Sequence, residues 1–464
     1  MKVLILKSFI DHDIISEALA AQKADDATLA AILAKAEKSE PLSQTEVAQL
    51  LLVEDAGHIA EMNRIAGEIK DRIYGRRVVM FAPLYVSDYC VNNCSYCGYS
   101  HKNQFNRRRL SMDEIKREVE ILESMGHKRL ALEAGEDPVN CDIDYITDAM
   151  EAIYSVQKGN GSIRRINVNI AATTVENYKK LESKGIGTYI LFQETYDDTA
   201  YLEHHQGGPK RNYLYHLTAF DRAMEAGIED VGGGVLFGLA DYRSEVLALL
   251  QHNAHLEEVY GVGFHTVSVP RLKKALGMDL AQYPHIVTDE QFKRIVTVLR
   301  LALPYVGIIL STRETPEIRD ELLRCGISQL SAGSVTGVGG YEERENGEDI
   351  SQFSVDDERS PIEIIKSLVD SGYIPSYCTA CYRSGRTGDR FMQLAKSGKI
   401  GYVCEPNALM TLLEYIQDYG DDELKAKGYK FIDEHAKTID NPKVREMTLS
   451  RIERLKNGER DLYV

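Results

Sequence analysis

Short apolar runs alternate with longer amphipathic stretches along most of this chain. The runs fall near residues 78–86, 129–134, 165–170, 187–192, 230–237, 262–269, 305–311 and 328–332. Between them apolar residues recur at helical spacing, over roughly 143–156, 174–184, 213–226, 243–260, 289–302, 316–325 and 361–370. One more helix is expected from Ser111, where Glu114 completes a capping box, through Ile115, Val119 and Leu122 to a stop at Gly126. Strands alternating with helices in units of about 25 to 40 residues predict parallel βαβ units closed into an α/β (βα)8 TIM-type barrel. A doubly wound open sheet is the alternative.

The two ends read differently. Residues 1–76 predict a helical N-terminal extension. Ser43 and Glu46 form a capping box there, and Ile59, Met62, Ile65 and Ile69 follow a helical period. The barrel is expected over 77–374. From 375 to 464 the pattern turns helical, with Leu409, Leu412, Leu413 and Ile416 in one helix and another near 443–456.

Charge and composition narrow the function classes. The chain has 464 residues and a formal net charge of −16. That balance argues against nucleic acid and anionic membrane surfaces, whose binding rests on clustered Lys and Arg. No run of 18 apolar residues appears, so no membrane-spanning helix is expected. The mildly apolar start, residues 1–10, has no small-residue cleavage site and does not read as a signal peptide. Of eight cysteines, six fall into two metal-spaced groups, which fits a reducing cytoplasm. Cys141 and Cys325 have no partner pattern and read as small hydrophobes.

The first group, Cys90, Cys94 and Cys97, directly follows the first apolar run with CxxxCxxC spacing. Three thiolates on one loop can hold three irons of a [4Fe–4S] cubane and leave the fourth open to a small molecule. Structural zinc would want a fourth ligand, and no His follows at finger spacing. The second group, Cys378, Cys381 and Cys404, again has three thiols; His435 is the one residue that could fold back as a zinc ligand. The barrel expectation adds a test, because active sites of such barrels sit at the C-terminal ends of the strands. Polar residues do stand there: Gly135 and Glu136, Glu194, Gly232 to Gly238, Arg271, Arg313 with Glu314, and Ser331 with Ser334. Arg107 to Arg109 reads as a solvated basic face.

CxxxCx(aromatic)C, with Tyr96 as the aromatic, resembles the cluster loop of the radical S-adenosylmethionine (SAM) superfamily. The resemblance implies Cys90, Cys94 and Cys97 as cluster ligands and Tyr96 beside the adenine of SAM. It further implies Gly135 and Glu136 at the SAM amino group, Arg211 at its carboxylate, and the Gly232–Gly234 backbone with Gly238 near the adenine. The stretches at 193–196, 270–271, 311–314 and 331–341 look like the aromatic amino-acid lyases of that superfamily. These include a tyrosine lyase of thiamine synthesis, which lacks the C-terminal cysteines, and one of [FeFe]-hydrogenase maturation, which has them.

That likeness implies cleavage of the Cα–Cβ bond of L-tyrosine to p-cresol and dehydroglycine. CO and cyanide would then form on iron at a second, C-terminal iron–sulfur cluster. Cys378, Cys381 and Cys404 would hold that cluster, and His265 would help bind an extra iron. Arg313, Ser331 and Glu194 are the candidates around tyrosine. A reductant such as ferredoxin or flavodoxin and other hydrogenase maturases are the implied partners. A lyase stopping at dehydroglycine and a non-catalytic iron–sulfur scaffold are the competing readings.

Overall fold

A computed structural model describes residues 8–346 and 353–464; of the apolar start, residues 1–7 lie outside the described residues. Eight parallel strands close into a barrel: β1 (Arg77–Ser87), β2 (Arg129–Ala134), β3 (Arg165–Asn169), β4 (Tyr189–Ile190), β5 (Val231–Gly234), β6 (Thr266–Ser268), β7 (Gly307–Leu310) and β8 (Gln329–Ser331). Closure runs through β1, which pairs with β8 at Val79–Phe81 and with β2 at Ala82–Tyr85. The eight strands match the apolar runs, though most are shorter. The open sheet is excluded by the β1–β2 pairing.

The strands are apolar on both faces because helices cover the outside and side chains fill the inside. Burying one Leu or Val of such a strand stabilises by roughly 1.5–3 kcal/mol. Ser111 caps Met112–Ser124 with Glu114, and Ser43 caps Gln44–Leu51 with Glu46, both as capping boxes. The helix expected at 213–226 breaks at Thr218 into Tyr213–Leu217 and Ala219–Glu225.

A ninth strand, β9 (Ile374–Ser376), pairs with Arg77–Val79 of β1. Val79 faces Gln329 across one edge and Ser376 across the other, so β9 lies on the edge that β1 shares with β2, below β2. The chain after the barrel therefore starts at the N-terminal mouth. Helices Ala380–Arg383, Gly388–Lys396 and Gly401–Tyr419 follow and cover that mouth's side. At the same end Arg300, fully buried, donates to the carbonyls of Gly326, Pro304 and Val306 at 2.8–3.1 Å and ties the loops before β7 and β8 together. The N-terminal helix Ala56–Tyr74 packs its buried Ile65, Ile69 and Tyr74 onto the barrel, where the Tyr74 hydroxyl donates to the Tyr305 carbonyl. No helix among the described residues is long and apolar enough to cross a membrane.

Candidate functional site

β1 runs from one mouth of the barrel to the other. Its eleven residues rise roughly 3.3 Å each, so they span about 30 Å. One thiol group follows its end, and the other follows its partner β9.

At the upper mouth Cys90, Cys94, Tyr96 and Cys97 line a cavity with Glu136, Glu194 and Lys210. The loop is held by its backbone: Val91 N donates to Glu136 O at 2.8 Å, Asn93 N to Gly207 O at 2.9 Å and Ser95 N to His204 O at 2.9 Å. Asn92 braces it from inside. Its amide donates to Glu136 at 2.5 Å, while its carbonyl oxygen accepts from the Lys210 N–H at 2.9 Å. Gly135 also lines the cavity, and a Cβ there would stand 2.3 Å from Tyr89 O, so only glycine lets the two loops touch.

Tyr96 donates its hydroxyl to His205 Nε2 at 2.8 Å, because His205 Nδ1 is turned to the Tyr201 carbonyl at 2.7 Å. Burial and then Lys210 hold His205 down to about 2, so its ring is neutral. Lys210 reaches Glu194 at 2.7 Å. Burial alone would lower Lys210, but Glu194 and the Cys94 sulfur outweigh it and raise it. Burial pushes the Cys97 thiol up to about 11 and Cys94 higher still. Binding metal here therefore releases protons.

The upper cavity continues into the barrel. Tyr85, Glu133, Asn169, Phe192, Arg313 and Phe353 line both it and an interior cavity, which also holds Ser331. Burial raises Glu133 to about 8, against the lowering effects of Arg313 and the 2.7 Å hydrogen bond from Asn169. At neutral pH that carboxyl is mostly protonated and leaves the Arg313 charge unspent. The Arg313 guanidinium lies 3.8 Å from the Phe353 ring centre. Ser331 accepts at Oγ from the Thr312 N–H at 3.0 Å.

At the lower mouth Cys378, Cys381 and Cys404 line one cavity with His265, Arg77, Arg129 and Tyr382. Cys378 follows β9, Cys381 lies in the single turn Ala380–Arg383, and Cys404 comes from the helix Gly401–Tyr419. Cys381 is pulled down to about 6, first by a hydrogen bond from Cys404 and then by Arg386 and Arg77, whereas Cys404 is raised in turn. The Nε atoms of Arg77, Arg129 and Arg386 are buried without a hydrogen-bond acceptor. Unmet donors around three sulfurs suit an anionic cluster, which would supply the acceptors and the charge. Among the described residues no three His, Cys, Asp or Glu side chains gather as one metal ion would need, and neither thiol group shows the closed shell of structural zinc.

His265 stands just before β6, at the N-terminal mouth and not at a C-terminal strand end. Its Nδ1 lies 3.4 Å from Asp230, and its Nε2 accepts from the Tyr382 hydroxyl at 2.8 Å. Burial lowers it to about 4, which leaves the neutral ring that ligates metals.

Several expectations change. Arg211 is exposed and donates to the carbonyls of Leu202 and His205, outside the upper cavity; its neighbour Lys210 points in. Arg107 is no solvated face: it donates to the carbonyls of Asp88, Tyr99 and Ser100 at 2.6–3.0 Å and fastens the thiol loop. Arg108 is likewise half-buried, between Glu114 and Glu343. Gly232, Gly233 and Gly234 make room for Thr266, Phe264 and Phe192, each within 2.7 Å of an added Cβ, and do not line the upper cavity. Gly238 likewise abuts Leu272 and is not among the cavity's lining residues. His435 bonds the Phe431 carbonyl in its own helix, away from the lower thiols. Arg271 pairs with Glu314 and Asp289. Glu133 stands at the end of β2, among the polar strand ends that the barrel expectation singles out; Lys210 and the lower arginines carry no such signal beyond the fact that Arg77, Arg129 and Arg165 each open a barrel strand.

Comparison with known proteins agrees with this geometry. Residues 84–252 match the Radical SAM superfamily, and residues 268–374 match the Biotin and Thiamin Synthesis associated domain. The protein is thus a radical SAM enzyme, a class that implies a [4Fe–4S] cluster and SAM. The 2-iminoacetate synthase of Escherichia coli (strain K12) is 30% identical over 75% of this chain and 89% of its own length. The crystal structure of HydG, a maturase of the [FeFe]-hydrogenase, is 57% identical with a TM-score of 0.96, over 99% of this chain and 100% of that one. HydG from Carboxydothermus hydrogenoformans is 38% identical with a TM-score of 0.81, over 95% of this chain and 99% of that one. The chain belongs to the HydG family of radical SAM lyases.

Proposed function

We propose that this enzyme cleaves L-tyrosine at the Cα–Cβ bond, releasing p-cresol, and that the dehydroglycine fragment yields CO and cyanide on iron at the lower thiols. The products would serve assembly of an [FeFe]-hydrogenase active site. One observation carries the reading: the upper thiol cavity, the interior cavity and the lower thiol cavity lie in series along β1. The interior cavity is lined by Phe81, Ile309 and Ser331; the lower one by Val79, Gly307 and Gln329. These are pairs two apart on the same strands, so the two spaces are one side-chain layer apart, roughly 7 Å.

Cys90, Cys94 and Cys97 would hold the cluster, which with SAM would supply the radical chemistry that starts from the tyrosine amino group. The chain's own residues position and exclude. Glu136, oriented by Asn92, would take the SAM amino group, and Lys210, set by Glu194, would offer the cation for its carboxylate. Tyr96 shapes the adenine side. Arg313 and Ser331 take the tyrosine carboxylate and amine, with neutral Glu133 leaving Arg313 free for that anion. Cys378, Cys381, Cys404 and His265 hold the second cluster and its extra iron. A reductant such as ferredoxin or flavodoxin and the other hydrogenase maturases complete the reading.

The test is anaerobic reconstitution with iron and sulfide, then SAM, tyrosine and reductant, with p-cresol and CO assayed together. The double variant Cys378→Ala with Cys381→Ala is expected to keep p-cresol and lose CO. CO persisting at the unaltered level would remove the lower thiols from the pathway and leave a lyase that stops at dehydroglycine.

A further inference from the structure

One cavity has no part in this scheme. Beside the lower mouth a pocket of about 610 Å³ opens to solvent, and its walls include Arg164, Arg165, Glu229, Tyr382, Arg383 and Arg390. Tyr382 lines this outer pocket and also the lower thiol cavity. A single half-buried side chain therefore belongs to both spaces.

Tyr382 is well placed to separate them. Inward, its hydroxyl donates to His265 Nε2 at 2.8 Å, the nitrogen an iron would need. The fully buried Arg165 guanidinium lies over its ring. The backbone around it is pinned: Gly388 N donates to Asp230 at 3.0 Å, Thr387 bonds Glu229, and Arg386 N donates to Cys381 O at 2.8 Å. Opening by movement of the loop would break these bonds. Rotation of the side chain breaks the hydrogen bond to His265 and its stacking on the buried Arg165, and leaves the loop in place.

The thiol cavity is walled by Arg77 and Arg129, and the outer pocket by Arg164, Arg165, Arg383 and Arg390 together with Glu182, Glu229 and Asp230. Asp461 neutralises part of this, pairing with Arg164 and with Arg383. Arg390 stands at the exposed rim and donates to the Gly385 carbonyl. An anion crossing between the two spaces would pass from one set of guanidinium groups to the next.

We propose that Tyr382 is a gate between the lower thiol cavity and the outer pocket, and that an anionic iron product carrying CO and cyanide leaves by this route. The identity of the cargo rests on the function proposed above; the gate does not. Iron on Nε2 would displace this hydrogen bond, and the bond would re-form on the imidazole lone pair once the iron had left. No electron is transferred.

The gate is tested on the full-length, metal-free chain with iodoacetate, following alkylation of Cys381 and, as an internal reference, Cys94 by peptide mass spectrometry. Tyr382→Ala is expected to speed alkylation of Cys381 by about fivefold or more, the scale of one lost hydrogen bond, with Cys94 unchanged. Tyr382→Phe, which keeps the ring, gives a smaller rise. An unchanged Cys381 rate in Tyr382→Ala, or an equal rise at Cys94, overturns the gate. Arg390→Glu should slow iodoacetate relative to neutral iodoacetamide at Cys381; an unchanged ratio overturns the route. In the reconstituted enzyme, infrared bands of iron-bound CO should reach the filtrate sooner in Tyr382→Ala at unchanged p-cresol. If unaltered enzyme makes no iron carbonyl, the proposed function fails while the alkylation result still decides the gate.

Discussion

At the upper mouth all three thiols come from one continuous loop, Cys90 to Cys97; at the lower mouth they come from a strand end, a single helical turn and a separate helix. The first site is fastened by backbone hydrogen bonds and by Arg107 on three carbonyls. The second exists only because β9 joins β1 and brings Cys378 and Cys381 under His265. Their charges differ in the same sense. Above, Glu136 and Glu194 stand with Lys210, Lys273 and Arg313, and Glu133 is mostly protonated at neutral pH; below, Arg77, Arg129 and Arg386 face the sulfurs, and among the described residues no carboxylate lines that cavity. Walls of mixed charge suit a cosubstrate that carries both an ammonium and a carboxylate group; arginine walls suit anions. One barrel thus offers walls of mixed charge at one mouth and cationic walls at the other.

The largest effect expected is a split between the mouths. Cys94→Ala should abolish 5′-deoxyadenosine and p-cresol together, while Cys404→Ala should leave both and remove CO, as chromatography and CO-binding assays would read. Equal losses from the two variants would break the contrast.

Next comes the acid between the two sites. The folded value of Glu133, about 8, lies above the 4.5 of the free side chain, so the fold favours its neutral form. That contribution is complete below about pH 4.5 and is lost as pH rises through about 8, with an upper bound of about 5 kcal/mol. Denaturant unfolding across that window should show a slope that Glu133→Gln flattens.

Lys210→Ala strands Glu194 beside the upper cavity and should cost about 3 kcal/mol in unfolding free energy. Pairing Lys210→Met with Glu194→Gln should recover most of it. Arg107→Ala should cost about 2 kcal/mol through the carbonyls it abandons. Smallest is Arg211→Ala: stability within about 0.5 kcal/mol of the parent and an unchanged SAM affinity by calorimetry. A marked loss of SAM binding there would return the carboxylate role to Arg211.

How much of this was legible followed from distance along the chain. The barrel was written in the alternation of apolar runs, because each βα unit is local and its strand must be buried on both faces. The upper thiols were legible because one loop carries all three. Arg211 misled, since the three-residue turn Pro209–Arg211 places Lys210 inward and Arg211 outward, a matter of one residue's rotation. Arg107 misled because a run of arginines looks solvated until a neighbouring loop offers its carbonyls. Gly232 to Gly234 were read as ligand contacts, yet the volume they leave is filled by Thr266, Phe264 and Phe192.

The sequence by itself determined the barrel, the three-thiol loop and the existence of a second cysteine group, all of which depend on local spacing and burial. Tertiary structure alone decided that Cys378, Cys381, Cys404 and His265 face one cavity, and that Tyr382 lies between it and solvent. The approach of His265 to Tyr382 and the thiols joins residues more than a hundred positions apart through the pairing of β9 with β1, and no local pattern encodes which edge of a strand a distant segment will take.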